Sequence, residues 1–294
     1  MSTDGTAGAG AAAQGTAAPG GRELAPAVPL LAAVVAVISI LTGAAMAGAG
    51  LAGHAFGPWH SAGPLGPGVI GAAMVGVAPG LFLVGRARCW EEARALVLPT
   101  AVVLVGQFAV TVVNAGALHV AKGGNIVVVL FSLGWVAVTC LLALVALLCL
   151  ALQYRRPARP YLATAAPLPV WSRPALAVLG SAWTGIGLGL LVLPGFWGGF
   201  VPWAVSRPDA QALGVWALAL GVGVLGSLVE DDLGRLRAAL VALPGVAVAV
   251  GVLLAGRASN VQWGSGPALA LEAMVVGLLL AGLSGRVLLA RPAA

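Results

Sequence analysis

The sequence predicts an all-α fold, a polytopic transmembrane helical bundle of eight spans. Of its 294 residues, 60% are hydrophobic and only 8% are charged, whereas soluble domains carry roughly 25% charged residues. The apolar residues fall into eight long runs, each close to the ~20 residues that a helix needs to cross ~30 Å of hydrocarbon. The alternating pattern of a β-barrel is absent, and helices satisfy their own backbone groups in lipid.

The elements follow from the apolar runs in chain order. Residues 1–25 are rich in Gly, Ala, Ser and Thr, so they bury too little apolar surface to offset ordering entropy and are predicted to form a disordered cytoplasmic tail. The predicted spans cover residues 27–51, 67–84, 96–118, 126–152, 175–193, 212–229, 238–255 and 268–289. Residues 154–173 form a basic, proline-broken hinge loop between a first four-span unit (26–153) and a second (174–290), and 291–294 form the C-terminus.

The loop charges predict an orientation. Twelve of the fifteen Lys and Arg residues fall on the side of the two termini, and the other side holds only Lys122, Arg207 and Arg257. Lys and Arg concentrate on the cytoplasmic side of membrane proteins, so both termini are predicted to be cytoplasmic, in the cell membrane. The net charge of +6 is then a topology signal facing anionic lipid head groups, and no nucleic-acid partner is predicted. The predicted partner is the lipid bilayer, with other membrane proteins as a further possibility.

The two four-span units share short patterns. Thr42-Gly43 recurs as Thr184-Gly185, Pro58-Trp59 as Pro202-Trp203, and Pro99 after ARALVL as Pro244 after RAALVAL. The spacings between the copies are 142, 144 and 145 residues. A unit of four spans returns the chain to its starting side, so the sequence predicts two parallel repeats related by an axis along the membrane normal. Chance similarity between Ala-, Gly- and Leu-rich helices is the alternative.

Aromatic residues concentrate in the loops on the predicted outer side, with Trp59 and Trp203 as candidate binding residues. One interpretation is an interfacial belt, because the tryptophan ring suits a boundary that is apolar on one side and wet on the other. The alternative is a stacking surface for a lipid head group or a sugar. The surrounding pattern reads Val201-Pro202-Trp203, Arg207-Pro208 and Gly214-Val215-Trp216. It resembles the W-P-W…G-x-W outer-loop pattern of uncharacterised actinobacterial multi-pass membrane proteins, except that Val201 replaces the first tryptophan, and this resemblance implies no activity.

Polar side chains inside the spans are the other candidate binding residues. Gln107, Thr111 and Asn114 share one helical face, where they either hydrogen-bond neighbouring helices or line a cavity. Glu272 lies about five residues inside the eighth span, where a carboxylate is costly unless it is paired, hydrated or protonated. It is interpreted either as an ion-pair partner of Arg257 or interfacial acid, or as a proton- or cation-binding carboxylate.

No cofactor or metal site is predicted, because the chain has no cluster of His, Cys and carboxylates at metal-ligand spacing and no phosphate-binding loop. The first functional hypothesis is therefore a non-enzymatic structural or partner-binding membrane protein. The second is a small transporter or lipid-handling protein with its site at the repeat interface. The third is a membrane-embedded enzyme acting on lipid-linked substrates, for which Asp209 and Glu272 are the acids available on the outer side.

Overall fold

The fold is all-α, as the sequence predicts, in a computed structural model that describes residues 21–158 and 166–290. Eight long apolar helices dominate it, and each is long enough to cross a membrane. They are α1 (Ala27–Leu51), α2 (Leu65–Val84), α3 (Trp90–Val113), α4 (Ile126–Tyr154), α5 (Ser172–Val192), α6 (Arg207–Glu230), α7 (Ala239–Gly256) and α8 (Gly266–Ala290). The protein is therefore a multi-pass membrane protein embedded in a lipid bilayer. Most of the predicted tail, part of the predicted hinge and the predicted C-terminus lie outside the described residues.

Two helices begin earlier than the apolar runs predict. Helix α3 starts at Trp90 with two acidic residues in its first turn, and α6 starts at Arg207 behind a capping box formed by Ser206 and Asp209. Carboxylates near a helix N-terminus are favoured by the exposed N–H groups and by the helix dipole. A search for apolar residues alone passes over such charged first turns, and this explains the difference of five to six residues.

The helices alternate in direction, so the connections gather at two ends. At one end, which we call the tryptophan end, lie the loops 52–64, 114–125, 193–206 and 257–265. At the other, the arginine end, lie the segments 21–26, 85–89, 231–238 and the described parts of 155–171. Backbone hydrogen bonds join the loops of the tryptophan end in pairs. His119 N in the second loop donates to Pro58 O in the first (3.1 Å), and Gln262 N in the fourth donates to Pro202 O in the third (2.9 Å).

The eight helices form two layers of four. In one layer α1 packs along α2, α2 along α7, and α7 along α8; in the other α4 packs along α3, α3 along α6, and α6 along α5. Contacts between the layers are much sparser, and they run mainly between α2 and α6, α1 and α4, and α2 and α3. Each layer therefore combines two helices that precede the hinge with two that follow it.

Helices within a layer approach closely at glycines. A Cβ atom on Gly76 of α2 would lie 2.6 Å from the carbonyl oxygen of Gly245 on α7, and one on Gly71 would lie 2.6 Å from the carbonyl oxygen of Gly43 on α1. Small residues allow such backbone contact between membrane helices, where packing replaces the hydrophobic effect as a driving force. The layers are consequently dense along their rows, in contrast with the space between them.

Candidate functional site

A large apolar cavity lies between the two layers, and we call it the interlayer cavity. Its volume is about 1150 Å³, and residues from all eight long helices line it. Among the described residues of its wall none is charged, and the polar ones are limited to Gln107 and several Ser, Thr and Trp side chains. Ligand pockets usually measure about 300–1,000 Å³, so the interlayer cavity has room for a large apolar molecule.

The interlayer cavity opens sideways on one flank of the bundle. Val178 on α5 and Leu280 on α8 line it and are 71% and 61% exposed. Their helices contact each other little. On the opposite flank Val35 of α1 and Leu142 of α4 also line the cavity but are buried. The cavity therefore faces the surrounding lipid between α5 and α8.

A leucine cluster closes the interlayer cavity at the arginine end. Leu168, from the described part of the predicted hinge, is buried against Leu233, Leu236 and Leu240. The main chain holds this segment in place, because Leu233 N donates to Ala166 O at 2.9 Å. The hinge is therefore part of the cavity floor as well as a connection between the two four-span units.

The predicted polar stripe of α3 lies at the opposite end of the interlayer cavity and is buried. Gln107 Nε2 donates to Ala212 O on α6 (3.1 Å), and Thr111 Oγ1 donates to Gln107 O (2.7 Å). Asn114 Nδ2 donates to Gln211 Oε1 on α6 (2.7 Å). Helices α3 and α6 are thus joined by side-chain hydrogen bonds across the two halves of the chain, and of the three predicted residues only Gln107 also lines the cavity.

Trp135 on α4 joins this polar group. Its Nε1 donates to Thr111 Oγ1 (3.1 Å), and Thr139 Oγ1 donates to the Trp135 carbonyl oxygen (2.7 Å). The Trp135 ring meets the ring of Trp59 edge-on, with centroids 6.3 Å apart. The structure therefore brings Trp59 close to the α3 stripe, through a tryptophan that the sequence did not single out.

Asp209 is the centre of a second polar group, at the start of α6. Its side chain is fully buried. Oδ1 accepts hydrogen bonds from Trp59 Nε1 (2.9 Å) and Ser61 Oγ (2.8 Å). Oδ2 accepts from the hydroxyl (2.6 Å) and backbone N–H (3.2 Å) of Ser206. Trp59 is consequently a buried anchor that ties the first loop of the tryptophan end to α6.

The other two predicted residues lie elsewhere. Trp203 is buried in the third loop of the tryptophan end, and its Nε1 has no hydrogen-bond partner among the described residues. Glu272 is exposed on α8 and is not in the wall of the interlayer cavity. Arg257 forms no ion pair with it in the described chain, and its guanidinium lies against Gly53 instead. The structure does not bring Glu272 together with Gln107 and Asn114.

The acids of the arginine end are occupied by arginines and backbone N–H groups. Glu230 is nearly buried and binds Arg94 of α3 and Arg235, and Glu91 accepts hydrogen bonds from Arg22 N (3.0 and 3.2 Å). Cys89 lies beside this region, and burial raises the pKa of its thiol to about 11. No group of three or more metal-ligating side chains occurs within residues 21–158 and 166–290.

Sequence reasoning missed the roles of Gln211, Trp135 and Ser206. The roles of Gln211 and Trp135 depend on which helices pack beside them, and the sequence does not give this. Ser206 could have been predicted as a helix cap, because Ser206 and Asp209 stand at the capping-box spacing with Pro208 in the first turn.

No protein-family model, curated protein or solved structure matches this chain. The resemblance of the outer-loop pattern to actinobacterial membrane proteins stays a prediction.

Proposed function

We propose that this protein is a lipid-binding integral membrane protein that holds an apolar chain in the interlayer cavity. The observation that carries the proposal is the cavity itself, with its volume of about 1150 Å³, its uncharged wall and its opening between α5 and α8. This is the second hypothesis drawn from the sequence, a transporter or lipid-handling protein, and the proposal assigns its site to the space between the layers of the bundle.

The energetics favour an apolar occupant. Side chains that line an unfilled space lose the dispersion contacts that they would make with a neighbour. Water makes two to four hydrogen bonds in a buried site, and a wall so poor in polar groups offers few of them. An acyl or similar chain that enters between α5 and α8 supplies these contacts without needing hydrogen bonds.

We further propose that the two four-span units are parallel repeats. Equivalent contacts recur at nearly constant spacing. The backbone bond from His119 to Pro58 has its counterpart from Gln262 to Pro202. The short 3₁₀ turn Ala115–Ala117 after α3 has its counterpart in Ala258–Asn260 after α7.

The helix pairing supports the same proposal. Exchanging α1 with α5, α2 with α6, α3 with α7 and α4 with α8 converts one layer into the other. The glycine contact between α1 and α2, Gly43 with Gly71, then corresponds to the contact of Gly187 with Gly214 between α5 and α6. By its contacts the counterpart of Gly43 is thus Gly187, two residues beyond the Gly185 of the sequence pattern. The interlayer cavity lies between the two layers that this exchange relates, as expected for binding sites at repeat interfaces.

The proposed orientation places the tryptophan end outside and the arginine end in the cytoplasm of a cell, with the protein in the cell membrane. The support is the excess of Lys and Arg at the arginine end. The cavity floor at Leu168 is then cytoplasmic, and the polar groups around Gln107 and Asp209 are toward the outside.

The experiment fills the interlayer cavity from within. Gly134 lines it, and an added Cβ there meets no atom within 4 Å, so Gly134→Phe adds a ring at the cavity wall without a backbone clash. The protein is reconstituted in nanodiscs that contain a lipid with a diazirine in its acyl chain. Cross-links are mapped by mass spectrometry to Leu220 and Met274, which line the cavity. We expect Gly134→Phe to lower this labelling about fivefold.

Gly48→Phe is the matched control, because Gly48 is exposed on α1, also meets no atom within 4 Å, and is not in the cavity wall. It should label as the wild type does. The hypothesis of a purely structural or partner-binding protein gives a different result, namely cross-links confined to exposed side chains. Absence of label from Leu220 and Met274 in the wild type rejects the lipid-binding function.

A further inference from the structure

Two polar atoms in the wall of the interlayer cavity lack partners. Gln107 Oε1 and Trp216 Nε1 are both buried and have no hydrogen-bond partner among the described residues. The Gln107 amide is oriented by its Nε2, which donates to Ala212 O at 3.1 Å, because the reversed amide would place two oxygens together. One unpaired acceptor and one unpaired donor therefore remain.

The two atoms belong to the same part of the bundle. Ala212, which accepts the hydrogen bond from Gln107, lies one helical turn before Trp216 on α6. Gln107 is six residues from the end of α3, or about 9 Å from the tryptophan end at 1.5 Å per residue. The two atoms therefore lie at the end of the interlayer cavity that is nearer the tryptophan end, opposite the leucine cluster around Leu168.

Buried polar atoms without partners are destabilising. A hydroxyl can donate one hydrogen bond and accept another, so a hydroxyl that donates to Gln107 Oε1 and accepts from Trp216 Nε1 would satisfy both atoms.

The electrostatics of the site exclude a charged head group there. No charged side chain lines the described wall of the interlayer cavity, and an ion in apolar surroundings without a counter-charge is strongly disfavoured. The nearest ionisable residue along α6 is the acid Asp209, which would repel a phosphate or carboxylate.

We propose that the interlayer cavity selects an uncharged, hydroxyl-bearing lipid of the bilayer, of the diacylglycerol class, and binds its hydroxyl at Gln107 and Trp216. This inference rests on the proposed lipid-binding function and names the class of lipid. The acyl chains then occupy the apolar remainder of the cavity toward Leu168 and the opening between α5 and α8.

The test compares two lipids that differ only in the head group. Nanodiscs of phosphatidylcholine receive either a diazirine-bearing diacylglycerol or the phosphatidic acid with the same chains. Cross-links to Leu220 and Met274 measure occupancy of the interlayer cavity. We expect diacylglycerol to label these residues at least about tenfold more than phosphatidic acid does.

Two tryptophan variants provide a matched comparison. Trp216→Phe removes the unpaired donor and should lower diacylglycerol labelling about fivefold. Trp183→Phe makes the same chemical change at a tryptophan that is equally buried and equally unpaired but outside the cavity wall, and it should leave labelling unchanged. Because neither indole N–H is hydrogen-bonded, neither change removes a hydrogen bond that stabilises the fold.

The outcomes separate the two proposals. Equal labelling of the cavity by the two lipids, or equal labelling of Trp216→Phe and the wild type by diacylglycerol, overturns the choice of head group and leaves lipid binding in place. Failure of both lipids to label Leu220 and Met274 in the wild type overturns the lipid-binding function itself.

Discussion

At the scale of single residues, the polar side chains divide into those that hold the bundle together and those that do not. Gln107, Thr111 and Asn114 could be predicted to share a buried face, since their spacing alone places them on one side of a helix. The burial of Asp209 could not be predicted, because it depends on donors from a loop about 150 residues earlier in the chain. Glu272, a candidate binding carboxylate by its position inside a span, is exposed in the structure.

The Asp209 carboxylate is predicted to be sensitive even to an isosteric change. Each of its oxygens accepts from a nitrogen that can only donate, Trp59 Nε1 on one side and Ser206 N on the other. In Asp209→Asn the amide NH₂ must face one of these donors whichever way it is turned. We expect a loss of about 2 kcal/mol in the free energy of unfolding, measured by denaturant unfolding in detergent.

Asp231→Asn is the control for this change, because Asp231 is only partly buried and its ion pair with Arg173 lies at the surface. Asp231→Asn should change the free energy of unfolding by no more than about 0.5 kcal/mol. Equal stability of the two variants would show that the hydrogen bonds of Asp209 do not stabilise the bundle.

At the scale of helices, the contacts within each layer depend on glycines at particular positions. The apolar runs predicted the number of helices and most of their ends, because crossing a membrane sets length and composition locally. The choice of partner was not predictable. The spans are apolar on all sides, so no single apolar stripe marks the face that packs.

The contact between α2 and α7 is predicted to tolerate no side chain at Gly245. Its Cβ position is occupied by the backbone of Gly76, so Gly245→Val forces the two helices apart. We expect a loss of about 3 kcal/mol in the free energy of unfolding, or failure to recover folded protein. Gly251 lies one to two turns further along α7, with no atom near its Cβ position. The free energy of unfolding of Gly251→Val should therefore lie within about 0.5 kcal/mol of the wild-type value. A Gly245→Val protein as stable as Gly251→Val would contradict the close contact.

At the scale of the whole molecule, the packing of the layers and the charges at their ends have separate effects. The sparse contact between the layers leaves room for the interlayer cavity. Ion pairs such as that of Arg94 on α3 with Glu230 on α6 join neighbouring helices of one layer at the arginine end. The proposed orientation then has one consequence that can be measured in whole cells.

Cysteine accessibility checks this orientation. In a background in which Cys89, Cys140 and Cys149 are replaced by alanine, His54→Cys places a thiol at an exposed site of the tryptophan end and Arg155→Cys places one at the arginine end. A membrane-impermeant maleimide should label His54→Cys in intact cells and Arg155→Cys only after permeabilisation. The reverse pattern would mean that the protein has the opposite orientation in the membrane. Labelling of both variants in intact cells would contradict the three spans, α2, α3 and α4, that separate the two positions.

The sequence by itself determined that this protein is helical, that it has eight apolar segments long enough to cross a membrane, and where its charges lie along the chain. These properties are local, because in lipid each span must satisfy its own backbone and supply its own apolar length. Only the tertiary structure decided that α3 pairs with α6, that Asp209 is buried by Trp59, and that a cavity lies between two layers. Contacts of this kind join residues far apart in the chain, and among helices that are apolar on every side only shape and a few buried hydrogen bonds select them.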